Sequence, residues 1–164
     1  MGSVYAEYTL GIDNPRVGLL SIGEEKGKGN ELTKMAHELL EDADLNFCGN
    51  VEGADVFGTK CDVIVCDGFV GNVVLKVTEG AAELLLRRIR EAVTGSVELE
   101  EFAPSFARVL GSISGEFDAS EYGGALLLGV NGVSIVGHGC SDAQAIRNAV
   151  RFAHKAVDGR LVEH

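Results

Sequence analysis

Short apolar runs that alternate with glycine-rich corners and helical patterns constrain the fold of this chain more than any other feature. Runs typical of buried strands occupy residues 16–23, 45–51, 61–67 and part of 122–137. Helical spacing of apolar residues predicts helices over 31–42, over 72–93 and from 141 to about 157, with Gly159 as the last C-cap. This alternation predicts an α/β fold with a mainly parallel sheet.

The chain of 164 residues is long enough for one α/β domain, which we predict over residues 1–164. Residues 2–10 have the pattern of a helix end closed by Gly11. Residues 94–120 are weakly patterned, and we interpret them as an insertion or linker with one short helix at 102–110. The helix predicted over 31–42 carries five apolar residues at helical spacing: Leu32, Met35, Ala36, Leu39 and Leu40.

The charge and the cysteines exclude several classes of protein. A formal net charge of -11 argues against a nucleic-acid binder, which needs a basic face. The four cysteines have neither zinc-type spacing nor a disulfide framework, so we expect a reducing, cytoplasmic location. No signal peptide is evident, and no apolar run approaches the ~18 residues that a membrane span requires.

Three strand-to-helix corners share one design, in which a glycine-rich loop leads into a helix. The first corner is SIGEEKGKGNE (21–31), the second is VCDGFVGNVVLK (65–76) and the third is SIVGHGCSDAQ (134–144). Backbone N–H groups and the helix dipole favour anions at such corners. None of the three matches a known nucleotide-binding loop. The corners therefore predict an anion site, with plain turns as the alternative.

The third corner has the clearest helix start. Ser141 and Gln144 match a capping box, which places His138 just before the positive end of the helix. His138 either binds charge or is a structural residue, and Lys76 either faces its corner or is a solvated lysine. Cys140 is interpreted as a bystander.

A metal site is not predicted, because Glu24 and Glu25 have no third ligand at fitting spacing. No cofactor is predicted either.

Four blocks of the sequence closely resemble the phosphate acyltransferase (PlsX) family of bacterial phospholipid synthesis. The blocks are VGLLSIGEEKGKGNELT, LNFCGNVEGADVF, DVIVCDGFVGNVVLK and SEYGGALLLGVNGVSIVGHGCSDAQAIRNAV. The resemblance covers nearly the whole chain. It implies acyl transfer from acyl-ACP to inorganic phosphate by a homodimer with a three-layer α/β/α sandwich, like that of the isocitrate and isopropylmalate dehydrogenases. The chain corresponds to the C-terminal portion of the family pattern, so we expect the family's N-terminal strands to be missing.

A fainter similarity reaches the phosphotransacetylases, which share the D-x-x-x-G-N turn formed here by Asp67, Gly71 and Asn72. Their R-G-C-S segment implies that His138 stands where they have an anion-binding arginine. The resemblance implies catalytic roles for His138, Lys76 and Asn72. It implies substrate or phosphate contacts from Gly23, Lys28, Gly29, Asn30, Asp67, Gly68, Gly71, Gly124, Asn131, Gly139 and Ser141.

The acyl carrier protein is acidic, so an acidic enzyme must meet it with a local basic patch. We predict this patch at Arg87, Arg88 and Arg90, with a solvated helix end as the alternative. The segment 102–113 is expected to be buried at a dimer contact, and peripheral contact with a membrane is the alternative. Two other functions stay open: a phosphotransacetylase-like enzyme that uses CoA thioesters, and a non-catalytic, partner-binding half of a split enzyme.

Overall fold

The structure, a computed structural model, describes residues 1–116, 121, 123–139 and 141–159. The chain divides into two compact units. The first unit holds residues 1–67, 126–134 and the chain from Ala153, and the second unit holds residues 68–125 and 135–152. None of the helices in the described ranges is long and apolar enough to cross a membrane.

The first unit is built on a three-stranded parallel sheet. Its elements are helix α1 (Gly2–Leu10), strand β1 (Val17–Leu20), helix α2 (Glu31–Glu41), strand β2 (Phe47–Val51), a 3-10 helix (Gly53–Phe57) and strand β3 (Val63–Val65). The strand order is β2-β1-β3, so β1 is central. Helix α2 packs on β1 and β2, and α1 packs on β3. This arrangement confirms the predicted α/β fold and is consistent with three layers, while the dehydrogenase-like topology stays a prediction.

The sheet register is regular on one side of β1 and interrupted on the other. Val17 pairs with Val63 of β3, and the pairing continues in step along both strands. On the other side Val17 pairs with Phe47, but Leu19 pairs with Asn50, so β2 contains one extra residue. Gly49 in that stretch has φ 88°, a conformation that glycine adopts at little cost.

Helix α2 forms where it was predicted and packs on the sheet around a buried histidine. His37 is buried at 6% exposure, and Thr33, Ala36 and Leu40 are half-buried beside it. The buried His37 has a partner in Asn50, whose side-chain oxygen lies 2.9 Å from His37 Nδ1. Three of the five apolar residues at helical spacing, Leu32, Met35 and Leu39, are 59%, 62% and 72% exposed.

The remaining elements follow β3 in the chain. They are helix α3 (Gly68–Thr94), a 3-10 helix (Val97–Phe102), helix α4 (Ala103–Glu116), strands β4 (Ala125–Leu126) and β5 (Ile135–Val136), and helix α5 (Ala143–Asp158). Helix α3 packs on α4 and on the 3-10 helix before it. The segment 94–120 thus contains a longer helix than expected. The last run forms a separate two-stranded sheet, so its assignment to one strand was wrong.

Two helix ends confirm the glycine predictions. Gly11 closes α1 with φ 72° and donates its N–H to Glu7 O at 3.1 Å. Gly159 follows α5 and donates to Lys155 O at 3.0 Å.

Candidate functional site

The first corner is closed by a glycine and a capped helix. Gly29 has φ 101°, and a Cβ there would lie 2.8 Å from Thr33 Cβ and 3.0 Å from Ser21 Oγ. Asn30 caps α2, because its Oδ1 accepts from Thr33 N at 2.8 Å. These contacts explain why Gly29 and Asn30 stand together in this loop.

Most charges of the first corner have partners inside the first unit. Lys60 Nζ lies 2.6 Å from Glu24 Oε1, and Lys26 pairs with Glu41. The hydrogen bond to Glu24 raises the pKa of Lys60. Among the described residues, Lys28 has no carboxylate within ion-pair distance. Lys28 is therefore the cation of this corner that an anion can meet.

Two polar residues of the first corner were missed by sequence reasoning. Asn50 Nδ2 donates to Glu25 O at 3.0 Å, which ties the loop to β2. The hydroxyl oxygen of Ser21 is buried and has no hydrogen-bond partner within the described part of the chain. The available signal was a polar residue inside or just after a buried apolar strand, where a partner is expected.

The second corner is not a loop, because α3 begins at Gly68. Gly71 lies in the first turn of the helix, which begins four residues before the predicted start at residue 72. Asn72 is helical, as predicted, and Lys76 lies more than two turns into α3. Asn72 and Lys76 are one turn apart on the same exposed side of the helix.

The third corner is held by reciprocal hydrogen bonds. His138 N donates to Ser141 Oγ at 3.0 Å, and Ser141 N donates to His138 O at 3.0 Å. The helix cap is Asp142, whose Oδ1 accepts from Ala145 N at 2.8 Å. Gln144 bonds to Glu121 Oε1 at 3.2 Å instead. The predicted capping box is therefore wrong, since Ser141 is used to fix the His138 turn.

Lys76 and His138 meet although they are 62 residues apart in the chain. Lys76 Nζ lies 3.0 Å from His138 Nε2, and both residues belong to the second unit. An ammonium group can only donate, so Nε2 is the acceptor in this contact. Lys76 Nζ also donates to Glu79 Oε2 at 2.7 Å. The two acceptors leave one ammonium hydrogen for a further ligand.

The other predicted contact residues have different settings. Asp67 immediately precedes α3, and Gly139 lies in the third corner. Gly124 has φ 147°, and a Cβ there would lie 2.6 Å from Val136 O, so this glycine permits close backbone approach. Asn131 lies in the first unit and lines a cavity of about 280 Å³ beside Met1 and Val4.

The predicted basic patch is partly neutralised within α3. Arg88 Nη1 lies 3.3 Å from Glu91 Oε2, and Arg87 Nε lies 4.0 Å from Glu91 Oε1. In the described ranges Arg90 has no such partner.

Among the residues that the structure describes, no group of three or more His, Cys, Asp or Glu side chains is placed to hold a metal ion. Cys140 lies outside the described residues.

The fold first defines a class: an α/β protein with a parallel sheet and glycine-rich corners at strand ends. Within that class, the chain belongs to the family described as fatty acid synthesis protein, which it matches over residues 1–163.

Curated relatives carry the name phosphate acyltransferase. The one from Desulfitobacterium hafniense is 52% identical over 164 residues, which cover 99% of this chain and 49% of the relative. Those from Halothermothrix orenii and Citrifermentans bemidjiense are 49% and 48% identical, again over 99% of this chain, and are themselves covered to 49% and 47%. The chain thus spans about half the length of the curated relatives it matches, which is consistent with the expected correspondence to one portion of the family pattern.

Proposed function

We propose that this chain contributes the phosphate-binding part of an active site that transfers an acyl group from acyl-ACP to inorganic phosphate. The observation that carries the proposal is the contact between Lys76 and His138 beside the start of α5. Family membership and relatives named phosphate acyltransferase support the reaction class. Acyl phosphate is the product expected to enter phospholipid synthesis.

The reaction needs positioning more than a protein nucleophile. A phosphate oxygen attacks the thioester carbonyl, the C–O bond forms, and the C–S bond breaks. The proton of hydrogenphosphate ends on the thiol of the released carrier, so atoms and charges balance. The protein must hold the phosphate dianion and stabilise the oxyanion that develops on the carbonyl.

Lys76 is proposed as the cation that holds phosphate. Glu79 and His138 fix its ammonium group from two directions, at 2.7 and 3.0 Å. When phosphate takes the ammonium hydrogen that Lys76 otherwise donates to His138, Nε2 becomes an acceptor for the phosphate proton, which it can pass to the leaving thiolate. Asn72, one turn before Lys76, is proposed as a neutral donor to the same anion.

The turn that carries His138 is proposed to fix the direction of its ring. The two hydrogen bonds between His138 and Ser141 restrain the backbone, and the Asp142 cap fixes where α5 begins. Ser141 Oγ is already an acceptor from His138 N, so its hydroxyl hydrogen is available to the substrate.

The first corner is proposed as a second place for substrate contacts. Lys28 and the buried hydroxyl of Ser21 are the polar groups there that the described residues leave without an ion-pair or hydrogen-bond partner. Either group suits an anionic oxygen.

A homodimer in the cytoplasm is proposed for the assembly, with the segment 102–113 at the contact between copies. Phe102, Phe106 and Val109 are 49%, 38% and 57% exposed in the single chain. Burial against a second copy would remove this apolar surface from water. Peripheral membrane contact by the same segment is the alternative to be tested.

The test is release of free carrier protein from palmitoyl-ACP by the purified 164-residue chain, with and without phosphate. Phosphate-dependent release is the expected result. Release that does not depend on phosphate, or no release even when the remaining half of a relative is supplied, contradicts the proposal. Palmitoyl-CoA in a parallel reaction separates carrier-protein thioesters from CoA thioesters, since a phosphotransacetylase-like enzyme would prefer the latter.

A further inference from the structure

The outer face of α5 combines apolar and cationic side chains in two parallel rows. Ala145 is buried and defines the inner face of the helix. Ile146 and Val150 are 54% and 66% exposed and lie about 40° apart around the axis. Arg147 and Arg151 repeat the same spacing one residue later, and both are exposed. The result is an apolar strip bordered by a strip of positive charge.

The two arginines of this face are not neutralised by any residue that the structure describes. Neither Arg147 nor Arg151 has a carboxylate within ion-pair distance among the described residues. Asp158, at the far end of the same helix, is paired with His154 Nδ1 at 2.8 Å. In a chain of net charge -11, Arg147 and Arg151 form a local cationic row one helical turn apart. Their charge is therefore available to a partner molecule.

The arginines of α3 are the matched contrast. Arg87 and Arg88 have the same charge and similar exposure, but both lie within 4.0 Å of Glu91. A partner carboxylate would have to compete with Glu91 there. On α5 no carboxylate of the described residues pairs with Arg147 or Arg151 and would compete in this way.

The side chains of this face indicate which kind of partner suits it. Ile146 and Val150 suit the apolar stripe of an amphipathic helix, and the arginine row suits acidic residues along its border. Membrane-surface helices are usually rich in Lys and Arg along the polar face, whereas α5 carries three such cations, Arg147, Arg151 and Lys155, together with the carboxylate of Asp158. Nucleic acid is disfavoured by the net charge of the chain.

We propose that the outer face of α5, formed by Ile146, Arg147, Val150 and Arg151, is the docking surface for an acidic amphipathic helix of the acyl carrier protein. That the partner is the acyl carrier protein rests on the proposed function, whereas the position of the docking surface rests on the exposed side chains of α5. Helix α5 starts five residues after His138, and all four docking residues belong to the same unit as Lys76 and His138. The docked carrier is thus placed on the helix that leads out of the third corner.

The experiment is a titration of fluorescently labelled acyl carrier protein with the 164-residue chain, followed by anisotropy at low salt. The double variant Arg147→Glu/Arg151→Glu is expected to raise the Kd roughly tenfold or more. The double variant Arg87→Glu/Arg88→Glu makes the same charge change at the rival patch predicted from the sequence, and it is expected to raise the Kd less than about twofold because Glu91 already pairs with both arginines. The variant Arg147→Lys/Arg151→Lys should retain most of the binding, and far-UV circular dichroism confirms that each variant is folded.

Three results would overturn the inference: equal weakening by both charge reversals, no effect of the α5 reversal, or no binding of the carrier by the wild-type chain. A loss of sedimentation with phosphatidylglycerol vesicles, with carrier binding unchanged, would also overturn it and assign α5 to a lipid surface. Failure of the proposed function is a separate result, because it appears as absent phosphate-dependent turnover at saturating palmitoyl-ACP.

Discussion

The first and third corners look alike in sequence but use their polar groups differently. In the first corner, Glu24 and Lys26 have ion-pair partners and Asn50 holds the loop through Glu25 O. In the third corner, a ring nitrogen of His138 contacts Lys76 of helix α3. Most charged groups of the first corner are therefore used in structural contacts within its own unit. The third corner instead places a cation, Lys76, next to a proton acceptor, His138 Nε2.

Glycine content alone does not distinguish the first corner from the third. Gly29 at the first corner is required by a positive φ and by its closeness to Thr33. Gly139 at the third corner has open space around the position of a Cβ. The contacts of the charged side chains separate the two corners better than their backbones do.

The largest effect is expected at the third corner. His138→Ala should lower phosphate-dependent turnover roughly a hundredfold or more, because it removes the acceptor that positions Lys76 and relays the proton. Steady-state release of the carrier protein measures the loss. His154→Ala removes another exposed histidine of the chain and should leave turnover unchanged. A His138→Ala chain that keeps nearly full turnover would contradict the role of His138.

A substitution beside the first corner should lower the free energy of unfolding. Asn50 is 2% exposed, and Asn50→Ala leaves the His37 ring donor and Glu25 O without their partner. We expect a loss of about 2 kcal/mol in the free energy of unfolding. Urea denaturation measures it. Asn46→Ala, which removes an exposed hydrogen bond to Asn14 O, is the control and should cost less than about 1 kcal/mol. Equal losses from the two variants would argue that the buried pair adds nothing.

The helix caps at the first and third corners should contribute similar amounts to the free energy of unfolding. Asn30→Ala and Asp142→Ala each remove a side-chain acceptor at a helix start and should each cost about 1 kcal/mol of unfolding free energy. Gln144→Ala should cost much less, because Gln144 does not complete a capping box. A loss for Gln144→Ala as large as that for Asp142→Ala would restore the capping-box interpretation.

The smallest effect concerns a pair outside both corners. Arg16 donates to Asp62 through its backbone N, Nε and Nη2, and these hydrogen bonds hold the pKa of Asp62 at about 2, below its ordinary 3.8. Because the folded pKa is lowered, the pairing stabilises the fold above pH 3.8, and this stabilisation is lost as pH falls toward 2. Arg16→Met should move the pKa toward 3.8, measured by carboxyl ¹³C NMR. A pKa of Asp62 still near 2 in this variant would show that another group stabilises the ionised carboxylate.

The sequence was sufficient to predict the element order, because apolar periodicity and glycine caps are local signals. Strand β1, helix α2 and the Gly11 and Gly159 stops all appear where they were expected, within a few residues. The burial of His37 in α2 was not predicted, because it involves Asn50, a partner that periodicity does not reveal.

The contacts of the site were less predictable than the residues. His138 and Lys76 were both chosen as candidates, but their meeting depends on a separation of 62 residues that no spacing rule covers. The Glu91 pairs of Arg87 and Arg88 could be read from helical spacing, and they weaken the predicted patch. The exposed rows on α5 became visible only when the buried face of the helix was known.

The central claim is that Lys76 and His138 together bind phosphate, and NMR of the His138 ring tests it most directly. Phosphate is titrated into the chain carrying isotope-labelled histidine, alongside the variants Lys76→Gln and Arg88→Gln, which each remove one positive charge from α3. The account predicts a saturable shift of the His138 ring signals in the wild type and in Arg88→Gln, and its loss in Lys76→Gln. A shift that survives in Lys76→Gln, or no saturable shift in the wild type, would contradict the claim.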